Sequence, residues 1–325
     1  MQTRLSIIIP FYNVEQYIAQ CLDSVYNQDI PEEEYEVICV NDASPDNSRA
    51  IVKEYQKKHK NLILVEHEVN KKLGAARNTG RKIAKGKYIW NVDSDDMIAP
   101  HCLKKMLEIC EKNELDVLMF NYITFGQEKV HKRCGTIWDD NKISSGITFW
   151  KEQGIKHISD IGAVWKLMIR CEYLDENQIF SPEINMNEDV PYTYKSIFLA
   201  SKIKVVNSYY YLYRVINTSL TAQIHKQPTG KMLYENSFVS GKALYDIVYY
   251  VPSQEKDVYK SLINVINYVI IQDWKKLSII NREEQKIYAQ LVLRNILQNR
   301  FVWKVLSMKQ LYFLYRNCLF LIHDI

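Results

Sequence analysis

YEVICVNDASPDNSRAIVKEYQKK, residues 35–58, reads as one complete strand, loop and helix. Tyr35 to Val40 is a short apolar run of the kind covered on both faces of a sheet, and Ser48 to Lys58 carries apolar residues at helical spacing. NDASPDNS between them supplies turn formers and helix caps. The same unit recurs on either side. Upstream, the strand Leu5 to Ile9 precedes the loop PFYN and helical spacing from Val14 to Asn27. Downstream, Leu62 to Val65 precedes a helix over Leu73 to Ala84, and Tyr88 to Val92 precedes DSDD. This alternation predicts parallel α/β winding, in which ligands bind beyond the carboxyl ends of the strands. PFYN, NDASPDNS and DSDD are therefore expected on one edge of the sheet. A helix from Pro100 to about Asn113 and a strand Val117 to Tyr122 follow, then a less regular stretch to about Gly162.

The whole chain of 325 residues is 47% hydrophobic and 25% charged, which excludes disordered and collagen-like classes. Its 42 basic and 38 acidic residues leave a net charge of +4, too small to mark a general nucleic-acid binder. Seven scattered cysteines with no CxxC pair fit a reduced, cytoplasmic protein rather than a disulfide framework or a zinc site. Leu5 to Ile9 is too short for a secretory segment, and no apolar window is long enough to span a bilayer. No internal repeat is present.

Four features can carry chemistry. In WNVDSDD, Asp93, Asp95 and Asp96 follow an apolar strand directly, and three acids so close repel one another unless a cation sits among them. Hard oxygen ligands at this spacing suit Mg or Mn held jointly with a diphosphate; a solvated turn with capping acids is the alternative. Asp42 ends the strand VICV, where a carboxylate can accept a hydrogen bond from a base or a ribose hydroxyl, unless it only shapes the turn. NKKLGAARNTG places Gly74 and two alanines at a helix start with Arg77 one turn in, either as a partner for a diphosphate or nucleobase carbonyl or as a surface arginine. Glu188 and Asp189 precede an apolar helix, where Asp189 is either a helix cap or a general base. No cysteine lies in a motif and no Ser-His-Asp order is present, so covalent hydrolase chemistry has no support.

Taken together and in order, LSIIIPFYNVEQYIAQCLDSVYNQ, VICVNDASPDNS, GAARNTGRKIAKGKYIWNVDSDD and NEDVPYTY resemble the family 2 glycosyltransferases, over roughly residues 4–220. The resemblance implies a GT-A (Rossmann-like) α/β fold, a mixed sheet flanked by helices, and inverting transfer from a nucleotide-sugar, most often a UDP-sugar, with Mn or Mg. It implies that Pro10, Tyr12, Glu15, Asp42 and Arg77 hold the nucleoside. Asp93 then lies nearer the ribose, Asp95 is the main metal ligand, Asp189 is the base, and Glu188 orients the acceptor. Lys166, Tyr213, Arg214 and Ser219 match positions near the acceptor and the diphosphate. His225 matches a further diphosphate or metal contact, although a lone histidine is also often structural. The Gln-x-x-Arg-Trp motif and the membrane spans of processive members are absent, so addition of a single sugar is expected. Two rivals remain: a nucleotidyltransferase, for which the Gly-rich phosphate loop is missing, and a non-catalytic nucleotide- or glycan-binding protein, against which Asp93, Asp95 and Asp189 all speak.

From about Gln227 the pattern changes to long helices, with QPTG as a linker, giving a catalytic region over 1–225 and a helical region over 226–325. Residues 226–325 hold 14 Lys and Arg against 8 Asp and Glu, net +6, and the remainder is net −2. RFVWKVLSMKQLYFLYRNCLFLI can place Trp303, Leu306, Leu311, Leu314, Tyr315 and Leu319 on one side with Arg300, Lys304, Lys309 and Arg316 around it. Such a helix packs on the catalytic domain or a second subunit, as in a homodimer, or rests on the inner face of a membrane near a lipid-linked glycan acceptor.

Overall fold

The computed structural model describes residues 3–126, 131–133, 139–154, 161–183, 188–216, 229–234, 238, 240–272, 280–298 and 306–323. The chain forms two compact units: 1–183 with 192–215, and 184–191 with 216–325.

The first unit opens with the alternation read from the sequence: β1 (Leu5–Phe11), α1 (Ile18–Tyr26), β2 (Tyr35–Asn41), α2 (Ser48–Lys58), β3 (Leu62–Glu66), α3 (Leu73–Ile83) and β4 (Tyr88–Asn91). β5 (Met97–Ile98), α4 (Leu103–Asn113), β6 (Val117–Phe125), β7 (His131–Arg133), β8 (Ile143–Ser144), the short α5 (Gly146–Phe149), β9 (Leu167–Arg170) and α6 (Cys171–Glu176) follow. Helix α7 (Asp189–Phe198), from Tyr192 onward, and β10 (Ile203–Arg214) complete it. Among the described residues of the expected irregular middle are the end of β6, two short strands and a helical stretch from Gly146 to Gly154.

The sheet runs β3-β2-β1-β4-β9-β6-β10-β5, with β7 added to β6 and β8 to β10. The pairs among β1 to β4 are parallel, whereas β9 is antiparallel to both β4 and β6. β6 and β10 pair in parallel and run with β1 to β4, so β9 is a reversed strand set between them and the complete sheet is mixed. β1, β2 and β4 are buried along their whole length, which is why they read as unbroken apolar runs. β1 extends through Pro10 to Phe11, so two residues expected in a loop lie in the strand. Ile8 accepts from Val92 N–H on the β4 side, and Pro10, two residues on, faces the same side after the last β1–β4 pair. Its missing N–H therefore costs the ladder no hydrogen bond.

Helix α3 lies close on the sheet. A Cβ on Gly80 would stand 2.5 Å from Ile8 Cγ2 and 3.3 Å from Val40 Cγ2. Ala76 packs beside Ile38 and Val40 in the same apolar cluster.

The second unit contains α8 (Gly230–Tyr234), α9 (Ser240–Ile247), α10 (Lys256–Gln272), α11 (Arg282–Gln298) and α12 (Met308–His323). α8 crosses α11 closely enough that a Cβ on Gly230 would collide with the Glu284 carbonyl oxygen. Leu306, Leu311, Leu314 and Cys318 are buried, and α12 packs on α11. The buried part of the last helix's apolar side is thus packed within the helical unit. Tyr315, expected on that side, is instead exposed, because it follows Leu314 by only one residue, about 100° round the helix. Trp303 and the side chain of Leu319 lie outside the described residues. No described helix is long and apolar enough to cross a membrane.

Gly80→Ala should lower stability by about 1–3 kcal/mol through overpacking against Ile8. Urea unfolding reads this directly, and an unchanged midpoint would contradict the close α3–β1 contact.

Candidate active site

Two loops at the carboxyl ends of β1 and β2 are tied together by short polar side chains. Asn13 N–H donates to Ser44 Oγ at 2.7 Å, Glu15 N–H to Asp46 Oδ2 at 2.8 Å, and Asn47 N–H to Glu15 Oε2 at 2.9 Å. Ser44 Oγ and Ser48 N–H both donate to Asp46 Oδ1. Burial alone would raise the Asp46 pKa, but hydrogen bonds from Ser44, Ser48 and the Glu15 N–H outweigh it and hold the carboxyl below its ordinary range. Glu15 thus shapes the loop, while Tyr12 beside it is 48% exposed.

Asp42, at the end of β2, is buried. Its Oδ1 lies 2.7 Å from His67 Nδ1 and accepts from Lys71 N–H at 2.7 Å, and its Oδ2 accepts from Lys72 N–H at 2.8 Å. The carboxylate therefore gathers the segment that leads into α3, a task its position in the sequence does not reveal.

The acidic turn after β4 is held from three sides. Asp96 N–H donates to the Asp93 carbonyl at 3.1 Å, closing the turn. The buried Tyr211 phenol on β10 accepts from Asp93 N–H at 3.1 Å and donates to Asp96 Oδ2 at 2.7 Å, so one hydroxyl pins both ends. Arg214 N–H donates to Asp96 Oδ1 at 2.6 Å, and its Nε donates to the Asp95 carbonyl at 2.7 Å. The same guanidinium reaches Gln20 Oε1 and lies over the rings of Tyr17 and Phe125.

The three acids have separate fates. Asp93 Oδ1 forms a 2.8 Å ion pair with the buried Arg77 of α3. Asp96 is almost fully enclosed, and burial, then the charges of Asp95 and Asp93, push its carboxyl well above its ordinary range. Asp95 is half-buried; burial first and the charge of Asp93 second raise its pKa to about 6. A carboxyl pushed up in this way is one whose charge a cation would stabilise, so Asp95 with Asp93 fits a divalent metal completed by ligand oxygens. Among the described residues no three acidic, histidine or cysteine side chains cluster closely enough to hold a metal by themselves.

An aromatic group lies beside this turn. Trp165 stacks on Tyr211 at 4.3 Å and on Tyr213 at 5.5 Å, and meets Tyr122 edge-on at 4.9 Å. Lys166 is buried with its ammonium 5.3 Å from the Tyr122 ring centre. Burial, followed by the charges of Asp96, Asp95 and Asp93, raises the Tyr213 phenol to about 12, so it stays protonated facing the acids.

The structure therefore brings Arg77, Asp93, Asp95, Tyr213 and Arg214 to one edge, with Lys166 joined through the aromatic group. Glu188 is buried and Asp189 opens α7; both belong to the second unit. Ser219 and His225 lie outside the described residues. Tyr211 and His67 escaped the sequence reading: Tyr211 is one of 23 tyrosines in the chain, and His67 follows β3 with no motif around it.

With this geometry in view, the profile described as Glycosyl transferase family 2 matches residues 6–173, more than half of the chain. The chain belongs to this family. It is a family 2 glycosyltransferase with the GT-A fold, as its order of motifs leads one to expect. Over 216 residues it is 36% identical to the poly(ribitol-phosphate) β-glucosyltransferase of Bacillus spizizenii, an alignment covering 65% of this chain and 32% of that protein. The chain thus spans about a third of that relative's length. It is 27% identical to the uncharacterized glycosyltransferase EpsJ of Bacillus subtilis, with 82% of this chain and 85% of EpsJ covered. The crystal structure of S. aureus TarS in complex with UDP-GlcNAc superposes with a TM-score of 0.73 at 22% identity, covering 99% of this chain and 89% of that one.

Tyr211→Phe in this glycosyltransferase removes the partner of two buried groups, each costing about 1–3 kcal/mol when left unpaired. A loss of at least about 2 kcal/mol in denaturant unfolding is expected, and a loss under about 0.5 kcal/mol would contradict the double role of the phenol.

Proposed function

We propose that this enzyme moves a single sugar from a UDP-sugar to a hydroxyl of a glycan or lipid-linked glycan, in a metal-dependent, inverting reaction. The observation that carries the reading is the pair Asp93 and Asp95, held rigidly beside Arg77 at the sheet edge where nucleotides bind in such folds. The named substrates of similar proteins point the same way: one relative is called a poly(ribitol-phosphate) glucosyltransferase, and a structural neighbour was crystallised with UDP-GlcNAc.

In this reading the ring of Tyr12 covers the base, and Asp42 receives an N–H from it. Both oxygens of Asp42 accept from N–H groups, so the side chain acts here as an acceptor and suits uracil, which donates at N3, over cytosine, which accepts there. Arg77 keeps Asp93 in place and brings positive charge towards the diphosphate. Asp95, with Asp93, would hold the Mn or Mg ion, which when bound neutralises charge on the departing diphosphate. Lys166 and Arg214 add fixed positive charge near the same edge.

Asp189 is the proposed base. It takes the proton of the acceptor hydroxyl while that oxygen forms its bond to the anomeric carbon, and the bond from that carbon to the diphosphate breaks on the opposite face. Support comes from its place at the first turn of α7 and from the carboxylate chemistry such a base needs. Glu188 is assigned to orienting the acceptor, and His225 to a further diphosphate or metal contact. The catalytic region of residues 1–225 would act at the inner face of a membrane, with the basic region of residues 226–325 meeting the membrane or a second copy of the chain.

Asp189→Asn should cut transfer by at least about 100-fold while UDP affinity stays within about twofold. Wild-type turnover in that variant would remove the base assignment. Because Asp95 must ionise to hold a cation, Mn affinity should fall as pH drops below about 6, by about tenfold per unit. Calorimetric Mn titrations between pH 5 and 8 read the slope; a flat profile would place the metal elsewhere.

A further inference from the structure

His67 and Thr79 do not enter the mechanism, yet they complete a buried chain of hydrogen bonds that ends on Asp42. His67 Nδ1 lies 2.7 Å from Asp42 Oδ1, and Nε2 lies 2.9 Å from Thr79 Oγ1 on α3. The His67 side chain is 4% exposed and its backbone N–H donates to the Asn41 carbonyl, so the ring is held between the end of β2 and the helix. Asp42 accepts from two backbone N–H groups, and with the carboxylate as acceptor again the hydrogen of the Asp42–His67 bond is assigned to Nδ1. In the neutral ring Nε2 is then the acceptor, and the Thr79 hydroxyl donates to it.

We propose that His67 is a positioning residue for nucleobase recognition: its Nδ1–H, braced by Thr79, fixes the Asp42 carboxylate in the orientation that reads the base edge. The proposal rests on the UDP-sugar reading above. Three further observations carry it. Asp42 Oδ2 holds Lys72 N–H at 2.8 Å, and Lys72 has φ +76°, a left-handed value unfavourable for a lysine that needs support from its surroundings. The Lys72 carbonyl accepts from Ala76 N–H and so begins α3. One residue after Ala76, Arg77 grips Asp93 at 2.8 Å. The helix start that supplies Arg77 is thus held by Asp42 Oδ2 itself, while the His67 bond to Oδ1 aligns the carboxylate that discriminates between bases.

The test is calorimetric titration of UDP and CDP, in the presence of Mn, into the full-length wild type and four variants. In Asp42→Ala, UDP binding should weaken and the preference over CDP should vanish. His67→Leu should lose about tenfold in UDP affinity, corresponding to about 1.4 kcal/mol, with CDP affinity little changed. His67→Asn presents an N–H where Nδ1 stood and should regain most of the UDP preference. Thr79→Val, which keeps the imidazole and removes only its brace, should lose about threefold, and it serves as the probe if His67→Leu does not fold. Wild-type UDP affinity in both His67→Leu and Thr79→Val would overturn the positioning role, and so would equal losses for UDP and CDP or a His67→Asn variant no better than His67→Leu. Failure of the wild type to bind UDP, or an Asp42→Ala variant that keeps its preference, would instead overturn the donor reading itself.

Discussion

The enclosed Asp96 carboxylate, taking one hydrogen bond from the Tyr211 phenol and one from the Arg214 N–H, is the contact on which the site depends. It fastens the turn after β4 to a strand more than a hundred residues later, and it does so where water cannot compete. Burying an acid is costly unless its lone pairs are met, and here both oxygens are met from β10. The turn Asp93 to Asp96 is thereby fixed in shape before any ligand arrives, which is what binding a small, hard cation requires.

That fixation also distributes charge. Three acids in four residues would repel one another if all were equally ionised and equally exposed. Arg77 answers Asp93, the Tyr211 phenol and the Arg214 N–H meet the two oxygens of Asp96, and the Asp95 carboxyl is raised to about 6 by burial and the charge of Asp93. Helix α3 delivers Arg77 accurately because it presses on the sheet at Gly80, and because Asn78 exchanges two hydrogen bonds with the backbone of Ser181 at 2.8 and 2.9 Å. Packing on one side of the helix and hydrogen bonds on the other leave Arg77 little freedom.

Much of this was legible in the sequence. β1 to β4 and the helices between them are local features, set by apolar runs of four to seven residues and by turn chemistry, and their places follow from the text alone. The meeting of Asp93, Asp95 and Arg77 at one edge was legible because they lie at a strand end and a helix start, which such a sheet brings together. The antiparallel β9, the clamp from Tyr211 and the bonds of His67 to Asp42 and Thr79 were not, since each depends on which distant segments become neighbours. Leu306, Leu311 and Leu314 show the same limit: their spacing announces an apolar side, but only the fold says that α11 covers it.

The central claim is that the turn Asp93 to Asp96 binds a divalent cation together with uridine diphosphate. The most direct measurement is calorimetric titration of UDP and GDP into the wild-type protein, each with Mn present and again with a chelator. The account predicts binding of UDP over GDP, and only with the metal. UDP binding of equal strength in the presence of chelator, or no binding of either nucleotide, would contradict it.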